Sequence, residues 1–164
     1  MTLNPRKADS KEQYRVVVDI PAPIDKCFDA GTAEAAMMYW VPGPRSIVYD
    51  HSRAKAPYGA GSQRTVTLNS GMSLVEKIAI SEKPNFLAYG IATFGMVGDL
   101  LMSRYQGHMH FEVIDAAHTR LTWIGHFNCS GLQRITEPLT RFIMRTLIAT
   151  MAKRLVKYFE LKAA

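Results

Sequence analysis

Apolar and polar residues alternate along much of the chain, and a period of two is typical of β-strands that bury one face. The first such stretch runs from Tyr14 to Ile20 and ends at a Pro21-Ala-Pro23 segment, where a strand cannot continue. The alternation predicts seven strands, at residues 14–20, 46–50, both arms of a hairpin over 61–80, 86–93, 102–114 and 120–129. One face of the later strands is apolar and the other polar, so we expect an antiparallel sheet that is covered on one side.

Helical patterns occur in two places. Two short helices are predicted at 25–30 and 33–39, and one long helix at 135–161, with Pro138 in its first turn. The long helix is the only element able to cover the sheet, and its predicted inward arc comprises Leu139, Ile143, Leu147, Met151, Leu155 and Tyr158. We therefore predict an α+β fold in which a curved sheet wraps around the C-terminal helix and leaves a gap between them. Residues 1–13 are expected to form a disordered lead-in, and 14–162 a single ligand-binding domain.

Two charged residues share the inward phase of the predicted hairpin. Arg64 and Glu76 are equidistant from Ser70, so a three-residue loop centred on Ser70 places them opposite each other. One interpretation is a buried ion pair that fixes the hairpin register, because a buried charge without a partner is costly. The other is that Arg64 anchors a polar group of an apolar ligand while Glu76 orients it. Both can hold together.

Several apolar and aromatic residues are further candidates for a cavity wall. Tyr89, Tyr105 and Trp123 lie in the inward phase of their strands, where they are either core or ligand contacts. Tyr39 and Trp40 precede a Pro/Gly turn and cap the second short helix or face the cavity. The segment 94–102, which includes Met96, is apolar between glycines and is either a lid or a packed loop.

Composition narrows the function classes. Hydrophobic residues make up 48% and charged residues 21%, which is typical of an ordinary globular domain. The two cysteines form no metal-binding or disulfide pattern, so we expect a reducing, cytoplasmic setting, no metal and no cofactor. The net charge of +6 is concentrated in the last helix, where Arg134, Arg141 and Arg145 share one side. That side is either a solvated face or a transient contact with an anionic membrane surface, whereas no pattern indicates nucleic-acid binding or an oligomeric state.

Short motifs in this order resemble a known family. They are Val16-Val-Val-Asp-Ile-Pro-Ala-Pro23, Tyr39-Trp40-Val-Pro, Gly59-Ala-Gly61 leading to Arg64, then Glu76, Tyr89 and Leu121-Thr-Trp123. Together with the element order they resemble the START-like (Bet v 1-like, SRPBCC) superfamily of helix-grip proteins over residues 14 to 161. The resemblance is to the polyketide cyclase/dehydrase and lipid-transport branch.

The resemblance implies a hydrophobic cavity for a lipid-, sterol- or polyketide-like molecule. Our leading expectation is a carrier or sensor without catalysis, anchored by Arg64 and Tyr89. The alternative is a cyclase or dehydratase in which Arg64 stabilises an enolate oxygen, Tyr39 or Tyr105 transfers a proton, and Glu76 orients Arg64. Cyclases of the family tend to use a further acid or histidine, but His108, His110 and His126 fall in the outward phase, which favours the carrier.

Overall fold

The computed structural model describes residue 8, residues 10–93 and residues 100–163. Its largest element is a seven-stranded antiparallel sheet. Along the sheet the strand order is β1-β7-β6-β5-β4-β3-β2, so β1 and β2 form its two edges. The strands are β1 (Glu12–Ile20), β2 (Pro44–Asp50), β3 (Gln63–Leu68), β4 (Ser73–Glu82), β5 (Phe86–Thr93), β6 (Ser103–Val113) and β7 (Thr119–Asn128).

Within the described residues, two short helices and one long helix accompany the curved sheet, and together they confirm the predicted α+β helix-grip architecture. The two short helices, α1 (Ile24–Thr32) and α2 (Glu34–Trp40), connect β1 to β2, and the long helix α3 (Gln133–Ala163) closes the chain. The long helix begins two residues earlier than predicted, so Pro138 lies in its second turn. Its first turn is closed by backbone bonds from Gln133 to Ser130 and from Arg134 to Gly131.

The first strand also begins earlier than predicted. The Ser10 hydroxyl donates to the Arg104 carbonyl at 3.0 Å, and the Phe127 amide donates to the Lys11 carbonyl at 3.2 Å. The strand β1 therefore begins at Glu12, two residues before its predicted start, and Ser10 and Lys11 are bonded to the sheet. The alternation missed this earlier start because the pairing with β7 shifts register between Glu12 and Tyr14, and a bulge breaks the period of two.

The β3–β4 hairpin has the predicted register. Arg64 pairs with Glu76 and Thr67 with Ser73, around a loop of residues 69–71. The Leu68 amide donates to the Met72 carbonyl, and Gly71 adopts a φ of 83°, which suits glycine. The turn thus fixes which side chains of the two strands meet on the inward face.

The first part of the long helix presents a different side to the sheet from the predicted one, whereas Leu155 is buried as predicted. Leu139 and Ile143, expected inside, are 60% and 47% exposed. The buried residues of the helix are Thr140, Met144, Ile148, Ala152 and Leu155. Apolar side chains occur on more than one side of α3, so periodicity alone did not identify the packed side.

The outer face of the sheet is less polar than predicted. Ile80, Phe86 and Ala88 form a second small cluster there, and His108 is buried beside it at 5% exposure. The His108 ring lies 4.7 Å from the His126 ring and 5.5 Å from the Phe86 ring, centroid to centroid. The histidines do point away from the main core, but His108 is not solvated.

Two glycines shape the inner face. A side chain at Gly107 would overlap the Tyr89 ring, and one at Gly125 would overlap the Tyr14 ring. Each glycine therefore lets a tyrosine of a neighbouring strand lie flat against the sheet. Of these two tyrosines, Tyr89 lines the inner cavity.

Candidate ligand-binding site

A cavity of about 260 Å³ lies between the inner face of the sheet, α2 and α3. Most of its wall is apolar, with residues from α2 and the following turn, strands β3 to β5, the segment before β6, and the middle of α3. Five methionines contribute, namely Met37, Met72, Met102, Met144 and Met151. Thioether side chains are flexible, so this wall can adapt to ligand shape.

The charged pair predicted from the hairpin lies in the cavity wall. Arg64 is 1% exposed and Glu76 7%, and Arg64 Nε donates directly to Glu76 Oε2. Arg64 Nη1 donates to the Tyr49 hydroxyl at 3.1 Å and contacts Met37 Sδ at 3.1 Å. The guanidinium is thus held from three sides.

Electrostatics keep Arg64 ionised. Burial alone would lower its pKa, but the Glu76 carboxylate, with further contributions from Tyr49 and Tyr89, raises the pKa above its ordinary value. A cationic Arg64 next to an anionic Glu76 makes the pair neutral as a whole. The cavity therefore offers polarity without net charge.

One donor and one acceptor of this pair face the cavity. No described residue bonds to Arg64 Nη2 or Glu76 Oε1, and neither atom is among the fully shielded, unpaired polar atoms of the described residues. Because both side chains line the cavity, these two atoms are open to it. A bound group can accept from one and donate to the other.

A row of buried tyrosines supports the wall. Tyr89 lines the cavity, and its hydroxyl accepts from Trp123 Nε1 at 3.2 Å and is hydrogen-bonded to Tyr105. The Tyr105 hydroxyl in turn lies 2.6 Å from that of Tyr14. Burial raises the pKa of all three tyrosines, so each remains protonated at neutral pH.

The structure brings most of the predicted site residues together. Those that line the cavity are Arg64, Glu76, Tyr89, Trp40, Leu147 and Met151. Tyr105 and Trp123 lie one layer behind and contact the cavity through Tyr89, so Tyr105 is not placed to touch a ligand. Met96 lies outside the described residues, while Leu101 and Met102 of the same segment line the cavity.

Tyr39 is a correction. It points towards α3, where its carbonyl accepts from Arg154 Nη2 at 2.6 Å and its ring lies 5.7 Å from that of Tyr158. Successive residues of a helix point about 100° apart, and the rotation of α2 that places Trp40 in the cavity wall turns Tyr39 towards α3. The proton-transfer role considered for Tyr39 therefore has no structural basis.

Tyr49 is a site residue that the sequence analysis did not identify, although its position on β2 indicates an inward side chain. Tyr49 alternates with Ile47 on β2 and pairs with Arg64 in the β2–β3 register. Its hydroxyl donates to the Thr32 carbonyl at 2.6 Å while accepting from Arg64. Tyr49 thus links the charged pair to the end of α1.

Two other features are absent from the described residues. None of their helices is long and apolar enough to cross a membrane. No group of three or more His, Cys, Asp or Glu side chains among them is arranged to hold a metal ion.

Comparison with known families decides the classification. A family model described as polyketide cyclase/dehydrase and lipid transport matches residues 11–160 of the chain. The chain belongs to this family. This family description is consistent with the binding of a small molecule in the cavity. No curated protein sequence matches the chain.

Solved structures share the fold of this chain at low sequence identity. Norcoclaurine synthase from Thalictrum flavum, in complex with dopamine and hydroxybenzaldehyde, is 16% identical with a TM-score of 0.69, over 99% of this chain and 92% of that one. XoxI from Bacillus cereus is 13% identical with a TM-score of 0.70, over 91% and 96% of the two chains. A protein from Thermus thermophilus is 14% identical with a TM-score of 0.68, over 94% and 100%.

Proposed function

We propose that the protein binds a neutral, largely apolar molecule with one hydroxyl or carbonyl group, and carries it without converting it. The observation that supports this is the neutral Arg64–Glu76 pair in an otherwise apolar cavity. A hydroxyl can accept from Arg64 Nη2 and donate to Glu76 Oε1, whereas a carbonyl uses Nη2 alone. Family membership supports ligand binding in general.

A carboxylate ligand fits this site poorly. It would lie close to the Glu76 carboxylate in a low-dielectric cavity, and only one guanidinium is available for both anions. If the ligand displaced Glu76, that carboxylate would be buried without its partner. The pair therefore selects against acids that have the same apolar skeleton.

The cavity volume limits ligand size. Small-molecule pockets usually measure roughly 300–1,000 Å³, and the cavity at about 260 Å³ is slightly below that range. A medium-length chain or a one- or two-ring compound fits, whereas a sterol would require the methionine-rich wall to move. We therefore place the ligand at the small end of the lipid-like range.

A matched pair of probes tests this proposal. Calorimetric titration with 1-decanol and with decanoate at pH 8 compares a hydroxyl and a carboxylate on the same chain length. We expect the alcohol to bind and decanoate to be at least roughly tenfold weaker, corresponding to the loss of one buried polar contact. Equal or tighter binding of decanoate would contradict the neutral-ligand proposal.

A pair of helix variants locates the binding. Leu147→Trp should plug the cavity mouth, since Leu147 lines the cavity and is 40% exposed. Leu139→Trp makes the same change at an exposed position of α3 that does not line the cavity. We expect decanol binding to be lost only in Leu147→Trp. Native mass spectrometry of the purified protein would show whether a ligand of this class co-purifies.

A cyclase-type reaction is the second candidate, favoured by one observation. Tyr89 is the one tyrosine that lines the cavity, it is protonated, and it lies in the same wall as Arg64 Nη2. In an aldol closure Glu76 Oε1 would take the α-proton while Nη2 stabilises the enolate oxygen, Tyr89 would protonate the product alkoxide, and the proton held by Glu76 would then return to Tyr89 through solvent. Tyr89→Phe should then abolish turnover of an aldol-competent diketone and leave its binding intact, whereas a pure carrier shows no turnover in either form.

A further inference from the structure

A second depression lies on another side of α3, between the edge strand β1 and the first half of the helix. Its volume is about 500 Å³, and we call it the β1–α3 groove. The lining residues are Gln13, Tyr14, Arg15, Pro138, Arg141, Phe142 and Arg145. It shares no lining residue with the ligand cavity, so the proposed function does not account for it.

Positive charge dominates this groove. Arg15 is engaged by Glu12 on the same strand, with an Nη2–Oε2 distance of 3.1 Å. Arg141 and Arg145 are one helical turn apart, and neither has an acidic partner among the described residues. The nearest carboxylate on the helix, that of Glu137, is already held by Gln13 at 3.2 Å and faces Lys11 at 3.8 Å. Two guanidinium groups thus remain for an anion.

Gln13 provides an independent observation. It is 7% exposed, and its Nε2 donates both to the Phe127 carbonyl at 3.0 Å and to Glu137 Oε1. Both partners are acceptors, which fixes the orientation of the amide. Gln13 Oε1 then has no donor among the described residues, although buried polar atoms are normally paired. The atom is shielded from solvent in this structure, so a hydroxyl in the groove would reach it by a small outward turn of the Gln13 side chain.

We propose that the β1–α3 groove binds a phosphate-bearing molecule with a hydroxyl close to the phosphate. The forked guanidinium groups of Arg141 and Arg145 suit a phosphate, which offers several acceptor oxygens. The hydroxyl donates to Gln13 Oε1, and Pro138 and Phe142 contact the carbon skeleton. A free organic phosphate and the headgroup of a phospholipid both have this chemistry, so the test includes both sources.

The experiment is a titration of the full chain with three soluble probes and one vesicle. The soluble probes are glycerol 3-phosphate, inorganic phosphate and glycerol, followed by amide chemical shifts of β1 and α3. The vesicles contain phosphatidylcholine with one fifth phosphatidylglycerol and are followed by sedimentation. The variants are Arg141→Gln with Arg145→Gln, Gln13→Met, and Arg134→Gln as a control that removes a charge of the same helix outside the groove.

We expect glycerol 3-phosphate to bind more tightly than inorganic phosphate, and glycerol not to bind. The double arginine variant should weaken binding roughly tenfold or more, as expected for lost charge-assisted hydrogen bonds. Gln13→Met should remove the preference for glycerol 3-phosphate over inorganic phosphate, and Arg134→Gln should have little effect. Vesicle binding that depends on Arg141 and Arg145, with silent soluble probes, would also support the site and assign the phosphate to a lipid headgroup.

Two results would overturn the proposal. One is that neither the soluble phosphates nor the vesicles bind. The other is that Arg134→Gln weakens binding as much as the groove variant, because binding would then reflect the diffuse positive charge of the helix. Neither result depends on the ligand cavity, so the proposed carrier function is tested separately.

Discussion

Arg64 and Glu76 are each buried in an apolar wall, and each is stable there because of the other. The hairpin loop brings them opposite each other, the direct bond between them neutralises both, and Tyr49 holds the guanidinium. Their structural and functional roles are therefore compatible: the same pair that fixes the hairpin offers Nη2 and Oε1 to a ligand.

Mutations that separate the pair should show this dependence. We expect Arg64→Met to lower the free energy of unfolding by about 3–5 kcal/mol, because Glu76 is left as a buried, unpaired charge. Adding Glu76→Leu should restore much of that loss, since both charges are then absent. Urea denaturation of the two single variants and the double variant measures the difference.

The exposed Arg120–Asp19 pair serves as a comparison, and Arg120→Met should change stability little, because solvent screens that pair. If the loss in the Arg64 and Glu76 double variant equals the sum of the two single losses, the residues are not energetically linked.

His108 should make stability depend on pH. Burial, followed by the charges of His126 and His110, lowers the pKa of His108 from 6.5 to about 4. Between these values the unfolded chain binds the extra proton and the folded chain does not, so stability is retained above pH 6.5 and falls as the pH drops towards 4.

The free energy of unfolding should fall between pH 7 and pH 4.5 in both proteins. We expect the fall to be smaller in His108→Phe than in the unmodified protein, by on the order of 2 kcal/mol. Denaturation curves at several pH values provide the measurement. His118→Gln, at an exposed turn, is the control. A pH dependence that does not change in His108→Phe would mean that His108 is protonated equally in both states.

At the scale of elements, the strands could be predicted from the sequence more accurately than the packed side of the long helix. Strand alternation and the symmetry of the hairpin about Ser70 predicted the β3–β4 register, because both follow from a fixed period of two. The predicted inward side of α3 was wrong for its first half, where the apolar residues Leu139 and Ile143 are exposed, and right at Leu155, which is buried. The start of β1 was missed because a bulge interrupts the period at Gln13.

The close contact between strands and tyrosines gives an element-scale prediction. Gly107→Ala should destabilise the protein by about 1–3 kcal/mol, because the new methyl group would overlap the Tyr89 ring. Gly90→Ala is the matched control on β5, where the nearest atom to a new methyl group is the Tyr105 carbonyl oxygen at an ordinary 3.6 Å. Thermal denaturation compares them, and similar effects of the two variants would show that Tyr89 moves aside without cost.

For the molecule as a whole, the element order was enough to predict the helix-grip fold, because one long helix must cover the sheet. The identity of the cavity residues was harder to predict. Tyr39 and Trp40 are adjacent aromatic residues, but only Trp40 lines the cavity. Which of the two does so depends on how α2 is rotated against the sheet.

Ligand binding should reduce local opening of both α3 and the β3–β4 hairpin. A ligand in the cavity contacts α3 and the β3–β4 hairpin at once, so it stabilises only the closed arrangement of the two. We expect 1-decanol to slow amide hydrogen exchange in α3 around Met144 to Met151 and in β3 and β4, and to leave β7 nearly unchanged. Uniform slowing across all strands would instead indicate general stabilisation without a located ligand.

The aromatic packing of the cavity wall also makes the protein its own optical probe. The chain contains two tryptophans, and Trp40 lines the cavity. The Trp123 ring packs edge-on against the Trp40 ring, with the two ring centroids 5.8 Å apart. Both are fully buried, and Trp123 is hydrogen-bonded to Tyr89, which also lines the cavity. All tryptophan fluorescence therefore originates at the binding site. The intensity and colour of that emission should report occupancy directly, so unlabelled compounds can be screened by light alone.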